Sequence, residues 1–283
     1  MAPPHTASMR KRKLAIVLLD IIGSTSFVAK VGDVRASKWF YYHDQLTRNL
    51  VLKHNGREID RSDGFLLSFD TVLDAVNFGL TYQQTIPLKT RLDARIGVHW
   101  GELVEVTQDE LWVGVGAKRV ELEGISKNIA ARTMSVCGPK QVLLTKSAYE
   151  QVKGRSNMFT PGRVMYACVG MYKFKGLREA IVLYAVGTDI SRVQPPPSSE
   201  KATRLGGPKY IRLRARDRQI KDWLIWIYNK LVIICVPIAF YVFVILTKNR
   251  TCRELLGLQW FSWVEDVYNF VLRLLNVLWR AYG

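Results

Sequence analysis

Two acidic residues near predicted turns are the first candidates for chemistry in this sequence. Asp20 ends the apolar run LAIVLLD and is followed by the turn Gly23-Ser24-Thr25. Such a strand end leaves a carboxylate at the sheet edge with free backbone N–H groups just beyond it, which suits a divalent cation and a triphosphate. Taken alone, Asp20 could equally be a residue that caps the following turn.

The second acidic residue, Asp63, precedes Gly64 between two predicted strands, in the stretch GREIDRSDGF at 56–65. On local grounds an Asp-Gly pair is a common hairpin turn, so Asp63 alone favours that interpretation. If the hairpin pairs beside the first strand, however, Asp63 approaches Asp20. Two carboxylates without a basic partner repel each other unless divalent cations lie between them, so their pairing favours Mg²⁺ or Mn²⁺.

An amide and a guanidinium form the next candidate group. In the stretch GISKNIAARTM at 124–134, Asn128 and Arg132 are four residues apart. If this stretch is helical, both side chains lie on one face and can contact a single ligand together. A solvated helical face is the alternative, but an Asn and an Arg around Ile129 and Ala131 are odd choices for one.

Alternating strands and helices must position these residues. In chain order we expect a strand at 13–20, a helix at 33–54, a hairpin around 63, a helix at 70–84, strands at 94–101 and 102–106, a helix at 125–135, a strand at 141–145, a short helix and a hairpin ending at 187. Strand pairs interrupted by helices predict an α/β sandwich with a mixed, largely antiparallel sheet. This folded domain is expected to span 13–187.

The charge distribution indicates a polyanionic partner. The formal net charge is +17, and much of it lies in RKRK at 10–13 and in the stretch 201–221, which directly precedes a strongly apolar segment. This placement favours an anionic membrane surface over nucleic acid, because the basic residues of the predicted core lack interleaved aromatics. Residues 1–12 are expected to form a mobile basic leader.

Three segments are predicted after the folded domain: a Pro-rich and then basic linker at 188–221, a transmembrane helix at 222–248 and an amphipathic helix at 249–283. The uncharged part of the transmembrane segment is slightly shorter than the roughly 20 residues that cross a bilayer, and aromatic residues at its start suit a membrane interface. A buried core helix is the alternative, but no second domain is left to bury it.

The four cysteines are scattered without CxxC spacing, so neither a disulfide framework nor a zinc site is indicated. The first apolar run is too short for a secretory signal. We therefore expect the N-terminal domain to lie in a reducing cytoplasm.

Five ordered motifs resemble the catalytic domain of class III nucleotidyl cyclases. They are DIIGSTSF, HNGREIDRSDGFLLSF, RIGVHWG, EGISKNIAAR and FKGLREAIVLY, and they cover about residues 13–187. The resemblance implies a ferredoxin-like α/β core that works as a head-to-tail homodimer with two sites at the interface. It also implies a reaction, in which the ribose 3′-hydroxyl of a nucleoside triphosphate attacks the α-phosphate and expels pyrophosphate.

The resemblance also implies roles for the candidate residues. Asp20 and Asp63, with the backbone carbonyl of Ile21, match the ligands of two divalent cations per site, Mn²⁺ or Mg²⁺. Asn128 matches the asparagine that orients the ribose, and Arg132 matches the arginine that stabilises the transition state. In such dimers the aspartates come from one protomer and the Asn/Arg pair from the other, so a monomer should be inactive.

Two further groups fall near the triphosphate in this resemblance. The first is the turn Gly23-Ser24-Thr25, which offers backbone N–H groups. The second is Lys175 with Arg178, near the triphosphate-contacting lysine of the family. For these two residues, exposed hairpin charges are the alternative interpretation.

The positions that recognise the base differ from those of both adenylate and guanylate cyclases. Adenylate cyclases of the family use a lysine and an aspartate where this sequence has Ile59 and Glu121, and the Glu and Cys of guanylate cyclases are absent too. A pocket narrowed by Ile59 suits a smaller ring, in which Glu121 accepts from uracil N3–H or the cytosine amine while Arg57 donates to a uracil carbonyl. The pattern from Arg57 to Asp63, R-x-x-x-x-S-D, also resembles the bacterial pyrimidine cyclases of Pycsar anti-phage defence.

We therefore expect a pyrimidine cyclase of the bacterial inner membrane with its catalytic domain facing the cytoplasm. It would act on UTP in preference to CTP, and the cyclic UMP or cyclic CMP would activate a separate effector protein. Two alternatives stay open: an adenylate cyclase with a relaxed pocket, and an inactive cyclase-like domain that only binds nucleotide or a partner.

Overall fold

The computed structural model of the chain describes residues 8–62, 64–155, 158–159, 164–196, 202–209, 220 and 222–230. The chain divides into two compact units after Ile211. The strands of the first unit are β1 (Ser8–Ile21), β2 (Gly56–Arg61), β3 (Gly64–Phe69), β4 (Ala94–Thr107), β5 (Val120–Glu123), β6 (Val142–Thr145), β7 (Met165–Phe174), β8 (Ile181–Gly187) and β9 (Ala202–Gly206).

The helices lie between these strands. They are α1 (Ser24–Val31), α2 (Asp33–Lys53), α3 (Val72–Thr90), α4 (Glu110–Gly114), α5 (Ile125–Val136) and α6 (Lys146–Val152), with a short 3₁₀ helix at Ile190–Val193. Helix α3 begins where the Thr71 hydroxyl accepts a hydrogen bond from the Asp74 N–H, which satisfies one donor of the first turn. It ends at Thr90, and the next residue, Arg91, adopts a left-handed conformation with φ of 59°.

One sheet contains all of these strands, in the order β2-β3-β1-β4-β6-β8-β7-β9, with β5 paired to β4. Within the described part of the chain only the β4–β6 pair is parallel, and the other pairs are antiparallel. The mixed, largely antiparallel sheet expected from the sequence is therefore confirmed. Its longest contact joins β1 to β4, from the pair Ser8 and Thr107 to the pair Ile21 and Ala94.

Residues 14–19 of β1 form an unbroken apolar run because both faces of this part of the strand are covered. Ala15, Val17 and Leu19 pack into a core cluster with β3 and α3. Leu14 and Ile16 point the opposite way and pack in a second cluster with β5 and α5. Side chains alternate along a strand, so Asp20 lies on the same face as Leu14 and Ile16.

The structure differs from the sequence prediction at both ends of the domain. Residues 8–12, predicted as part of a mobile leader, are the start of β1. Lys11 reaches Glu102 at 2.6 Å, and Arg12 reaches Asp70 at 2.8 Å, so acidic partners balance this basic stretch. Residues 202–206, predicted as linker, form β9 and pair with β7. Residues 1–7 lie outside the described residues.

The second unit is described only at 220 and 222–230, where the chain is helical. Trp223 and Trp226 are exposed there, and the Lys230 ammonium lies 5.9 Å from the Trp226 ring centre. The rest of the predicted transmembrane helix at 222–248, and all of the predicted amphipathic helix at 249–283, lie outside the described residues. Among the helices that the structure does describe, none combines the length and hydropathy of a membrane span.

Candidate active site

The carboxylate of Asp20 lies at the end of β1 and is held by an arginine from the neighbouring strand. Asp20 is directly opposite Arg95 of β4 in the ladder. Arg95 donates from Nε and Nη2 to Asp20 Oδ2, at 2.9 and 2.7 Å, and both side chains are partly exposed. The other oxygen, Oδ1, accepts no hydrogen bond from the described residues. Among the described residues, therefore, one oxygen of Asp20 is hydrogen-bonded and the other has no partner.

The hairpin of β2 and β3 lies on the other side of β1. Gly64 is directly opposite Asp20, and a Cβ at this position would lie 2.1 Å from the Leu19 carbonyl oxygen. Only glycine permits this close approach of the two strands. Asp63 itself lies outside the described residues, so the predicted pairing of Asp63 with Asp20 stays a prediction.

The end of β2 is tied to helix α2 through buried polar groups. Arg61 Nε donates to Asp44 Oδ2 at 3.0 Å, and Asp44 Oδ1 lies 3.0 Å from His43 Nδ1. The fully buried His43 contacts the Tyr82 hydroxyl at 2.6 Å through Nε2. Burial raises the pKa of Asp44, but the hydrogen bond to His43 and the Arg61 charge outweigh it and lower the pKa. The carboxylate therefore stays ionised and anchors the strand that leads to the hairpin tip.

The turn after β1 has the conformation that the sequence suggests. Ile21, the last residue of β1, is buried opposite Ala94. Gly23 takes a left-handed conformation with φ of 72°, which glycine adopts without strain, and helix α1 begins at Ser24. Thr25 is exposed in the first turn of that helix. The N–H groups of a first helical turn lack partners within the helix and can contact an anion.

Helix α5 lies very close to strand β4. A Cβ at Gly97 would lie 2.4 Å from the Met134 backbone nitrogen, and a Cβ at Gly101 would lie 2.4 Å from the Ser126 hydroxyl. That hydroxyl donates to the Glu102 carbonyl at 2.6 Å. The two glycines of the motif RIGVHWG therefore allow α5 to pack directly on the backbone of β4.

Asn128 and Arg132 lie on helix α5, outside the face that packs on the sheet. The buried positions of this helix are Ser126, Ala130, Thr133 and Val136, which face the sheet. At 100° per residue, Asn128 lies on the opposite side and is exposed, whereas Arg132 lies on the flank of the helix and is half-buried. Among the described residues neither side chain has a hydrogen bond or an ion pair. The two residues are thus neighbours on the helix, outside the face of α5 that packs on the sheet.

The residues predicted to read the base occupy different surroundings. Ile59 packs in the apolar cluster with Leu122. Arg57 donates to Glu105 at 2.7 Å, and this hydrogen bond lowers the pKa of Glu105. The Glu121 carboxylate instead accepts from Gln108 Nε2 at 3.4 Å. Arg57 and Glu121, predicted to share one pocket, therefore do not contact each other in the single chain.

Lys175 and Arg178 are exposed in the connection between β7 and β8. In the sheet, β8 and β7 are separated from β1 by β4 and β6. The structure therefore does not bring these two residues beside Asp20 of the same chain.

Comparison with known proteins identifies the architecture. No model of a known protein family matches the chain. The adenylyl cyclase CyaB from P. aeruginosa superposes with a TM-score of 0.56 at 16% identity, over 66% of this chain and 99% of that one. The guanylate cyclase domain of RhGC from Catenaria anguillulae, in complex with GTP, superposes with a TM-score of 0.54 at 16% identity, over 62% and 97%. The chain has the class III cyclase fold.

Two curated relatives match by sequence. The putative adenylate cyclase 3 of Rhizobium meliloti is 24% identical over 159 residues, which are 53% of this chain and 25% of that protein. The serine/threonine-protein kinase pkn2 of Myxococcus xanthus is 29% identical over 108 residues, 35% of this chain and 13% of the kinase. The chain thus spans a quarter or less of the length of the curated relatives it matches.

The oxygen donors of this cyclase fold suit a hard divalent cation. Asp20 is partly exposed, its Oδ1 has no partner in the described part of the chain, and carboxylate and carbonyl oxygens are the ligands that Mg²⁺ and Mn²⁺ prefer. Within the described ranges, which exclude Asp63, no three or more His, Cys, Asp or Glu side chains cluster as a metal site. Asp20 therefore fits one ligand of the predicted cation site.

Arg95 is the site residue that the sequence prediction missed. It lies in the motif RIGVHWG, but its two partners, Asp20 and the Ser135 carbonyl, are 75 and 40 residues away along the chain. Only the register of β1 against β4 brings the guanidinium to Asp20. A charged residue inside a predicted buried strand was the available signal.

Proposed function

We propose that this protein is a pyrimidine nucleotide cyclase that converts UTP, or CTP, into the 3′,5′-cyclic monophosphate and pyrophosphate. The observation that carries the proposal is the carboxylate of Asp20, which lies next to the last residue of β1 and directly opposite Gly64 of the β2–β3 hairpin. On the class III cyclase fold this is the place for a cation-binding carboxylate, and Asp63 directly precedes Gly64. We assign Asp20, Asp63 and the Ile21 carbonyl to two divalent cations, Mn²⁺ or Mg²⁺.

The active unit would be a head-to-tail homodimer. Asn128 and Arg132 lie outside the face of α5 that packs on their own sheet, and Lys175 and Arg178 are strands away from Asp20. Within a single chain neither pair reaches the site around Asp20, whereas a second copy of the chain could bring its own pairs to that site. Each site would combine Asp20 and Asp63 of one protomer with Asn128 and Arg132 of its partner.

The residues would divide the chemistry as follows. Asn128 orients the ribose, so that the 3′-hydroxyl oxygen attacks the α-phosphorus while the bond to the pyrophosphate oxygen breaks. Arg132 donates to the α-phosphate as negative charge develops there, and its fixed guanidinium has no competing partner among the described residues. The backbone of Gly23, Ser24 and Thr25 receives the triphosphate. Divalent cations held by Asp20, Asp63 and the Ile21 carbonyl would lower the pKa of the 3′-hydroxyl, whose proton would pass to water, and would neutralise the triphosphate, so no separate side-chain base is required.

The preference for a pyrimidine rests on Ile59. Its side chain is packed with Leu122 in an apolar cluster, so this position offers no hydrogen-bond donor to a purine nitrogen. Glu121 would accept from the base, and Arg57 would donate to it after leaving Glu105. The Arg57–Glu105 ion pair is partly exposed, and such pairs contribute only about 0–1 kcal/mol, so its exchange for a ligand is inexpensive.

An adenylate cyclase is the second candidate. The putative adenylate cyclase of Rhizobium meliloti and the adenylyl cyclase of P. aeruginosa favour it, because both carry that activity in their names. In this case adenine would be recognised by backbone groups in a relaxed pocket around Ile59.

We further propose that the cyclase is tethered to the bacterial inner membrane and signals in anti-phage defence. The exposed Trp223 and Trp226 beside Lys230 are typical of a membrane interface. The defence role is supported by the likeness of the pattern from Arg57 to Asp63 to Pycsar cyclases, whose product acts on a separate effector. Detergent-free fractionation tests the proposed membrane tether. Recovery of the full-length chain in the soluble fraction would contradict it.

Product identification tests the central proposal. The full-length chain is incubated with Mn²⁺ and each of the four nucleoside triphosphates, and the products are separated and identified by mass spectrometry. We expect cyclic UMP as the main product and no product from Asp63→Ala. Asp70→Ala, which removes an exposed carboxylate that pairs with Arg12, is the matched control and should keep activity. Cyclic AMP as the main product would instead establish the second candidate.

Mixing two inactive variants tests the shared site. Asp20→Asn and Arg132→Ala should each be inactive, but a mixed dimer would hold one intact site. If subunits exchange at random, half of the dimers are mixed and activity should recover to about a quarter of the wild-type value. Activity that stays at zero after mixing, while both variants remain folded, would rule out the head-to-tail arrangement.

A further inference from the structure

We propose that a pocket beside helix α3 is a second ligand site, which binds a small aliphatic amino acid. The pocket lies between α3, the start of β6 and the end of β8, and the segment after β8 completes its wall. Its apolar residues belong to the core cluster that contains Val17 and Leu19. Asp20 lies on the other face of the sheet, so this pocket is separate from the candidate active site.

The floor of the pocket is apolar and its volume is small. Leu80, Val142 and Val186 line it, and each is almost fully buried. The volume is about 210 Å³, below the roughly 300–1,000 Å³ of pockets that hold drug-sized molecules. The pocket therefore suits an aliphatic group of a few carbons rather than a whole nucleotide.

Charges of both signs line the same pocket. Arg192 donates from Nη1 to the Pro139 carbonyl at 3.4 Å and has no ion pair among the described residues. Asp189 accepts from the Ser191 N–H through Oδ1 at 2.8 Å, and its Oδ2 accepts nothing within the described ranges. A guanidinium with free donors suits a carboxylate, and a carboxylate with a free oxygen suits an ammonium. Together with the apolar floor, these groups match the three parts of an aliphatic amino acid.

The wall that carries Arg192 is already ordered without a ligand. The buried Gln141 donates from Nε2 to the carbonyls of Arg192 and Gln194, at 3.1 and 2.7 Å, and its Oε1 accepts from the Gly138 N–H at 3.0 Å. This side chain joins the turn before β6 to the segment after β8. Little further ordering is therefore needed on binding, which favours affinity.

The pocket and the candidate active site share the short segment of Asp93 and Ala94. On the pocket side, Lys140 pairs with the Asp93 carboxylate at 3.1 Å, and its backbone N–H donates to the Ala94 carbonyl at 2.9 Å. On the other side, the Ile22 N–H donates to the Asp93 carbonyl at 2.8 Å, and Ala94 is opposite Ile21 in the ladder. Local opening of this segment would disturb the pocket, so an occupied pocket should hold the turn after β1 in place.

Binding is tested by isothermal titration calorimetry of the full-length chain with L-leucine and with two probes that each lack one part. Glycine lacks the aliphatic group, and 3-methylbutanoate lacks the ammonium. We expect leucine to bind at least about tenfold more tightly than either probe, because a charge-assisted hydrogen bond and a buried aliphatic group each contribute at least that factor. Equal affinity for leucine and either probe, or no leucine binding at millimolar concentrations, would overturn the proposal.

Two variants test the charged groups of the pocket. Arg192→Gln should weaken leucine binding at least about tenfold. Asp189→Asn should weaken leucine binding but not the binding of 3-methylbutanoate, and asparagine can still cap the 3₁₀ helix, so both variants should keep the wild-type Tm. Arg35→Gln, at an exposed position of α2, is the matched control and should bind leucine like the wild type. Wild-type leucine affinity in either pocket variant would refute the site.

Hydrogen exchange tests the shared segment without relying on the proposed activity. With leucine at about ten times its Kd for the wild type, exchange of the Ile22 N–H should slow about tenfold in the wild type. At the same leucine concentration it should slow by no more than about twofold in Arg192→Gln, because that variant binds leucine more weakly. Unchanged exchange in wild-type protein that has leucine bound would overturn the link between the pocket and the turn after β1.

Discussion

The contact between strand β4 and helix α5 predicts a sharp effect of the substitution Gly97→Ala. A Cβ at residue 97 would lie 2.4 Å from the Met134 nitrogen and 2.8 Å from the Ala130 carbonyl oxygen. Both atoms belong to the helix backbone and cannot rotate away. Ordinary contact needs 3.4 Å, so α5 would have to retreat from the sheet by about 1 Å.

The size of the effect follows from this displacement. Overpacking of a core typically costs about 1–3 kcal/mol, and at about 2 kcal/mol a domain of this size loses about 4–8 °C in Tm. Activity should suffer more, because α5 carries Asn128 and Arg132. A misplacement of about 1 Å in groups that contact the transition state can lower kcat about 100-fold.

The assay compares Gly97→Ala with Gly79→Ala in thermal unfolding and in cyclic nucleotide production. Gly79 lies inside α3, and its new Cβ would be 3.4 Å from the Val142 side chain, an ordinary contact. Alanine also favours a helix over glycine by about 1 kcal/mol, so this control should keep or gain stability and keep activity. A Gly97→Ala protein with wild-type Tm and wild-type kcat would refute the packing of α5 on β4.

Two further predictions concern buried polar groups. Burial lowers the pKa of His99 from 6.5 to about 4. Between these two pH values the unfolded chain binds a proton that the folded chain does not. About 3 kcal/mol of the free energy of unfolding present above pH 6.5 should therefore be lost as the pH falls toward 4. Denaturant unfolding across this pH range should show that slope, and His99→Asn should flatten it; an equal slope in both proteins would contradict the assignment. Tyr82→Phe removes the hydroxyl 2.6 Å from His43 Nε2 and leaves a buried polar atom unpaired, which should cost about 1–3 kcal/mol, whereas Tyr42→Phe, at an exposed site, should be neutral in the same measurement.

Local sequence patterns predicted the elements that bury a regular face. The helix expected at 33–54 is found at Asp33–Lys53, and the one expected at 125–135 is found at Ile125–Val136. Both have apolar residues at helical spacing. The common face of Asn128 and Arg132 follows directly from that spacing and was therefore predictable.

Contacts that depend on strand register were not predictable. Arg57 was expected beside Glu121, but the two strands place it against Glu105, which also accepts from Arg12. Strand β9 was not predicted because Ala202–Gly206 follows a stretch with the composition of a linker. Its strand conformation depends on its pairing with β7. The contact of Arg95 with Asp20 was missed for the same reason, since it depends on the alignment of two distant strands.

The long pairing of β1 with β4 has a consequence for synthesis of the chain. Ser8 pairs with Thr107, so 99 further residues must be synthesised before the N-terminal part of β1 can pair with β4. Translation at about 5–20 residues per second delays that partner by roughly 5–20 s. Until β4 is made, the strand has an open edge, and its apolar residues 14–19 can pair with other nascent chains on the same messenger. A chaperone that shields nascent strands near the ribosome should therefore raise the yield of this protein.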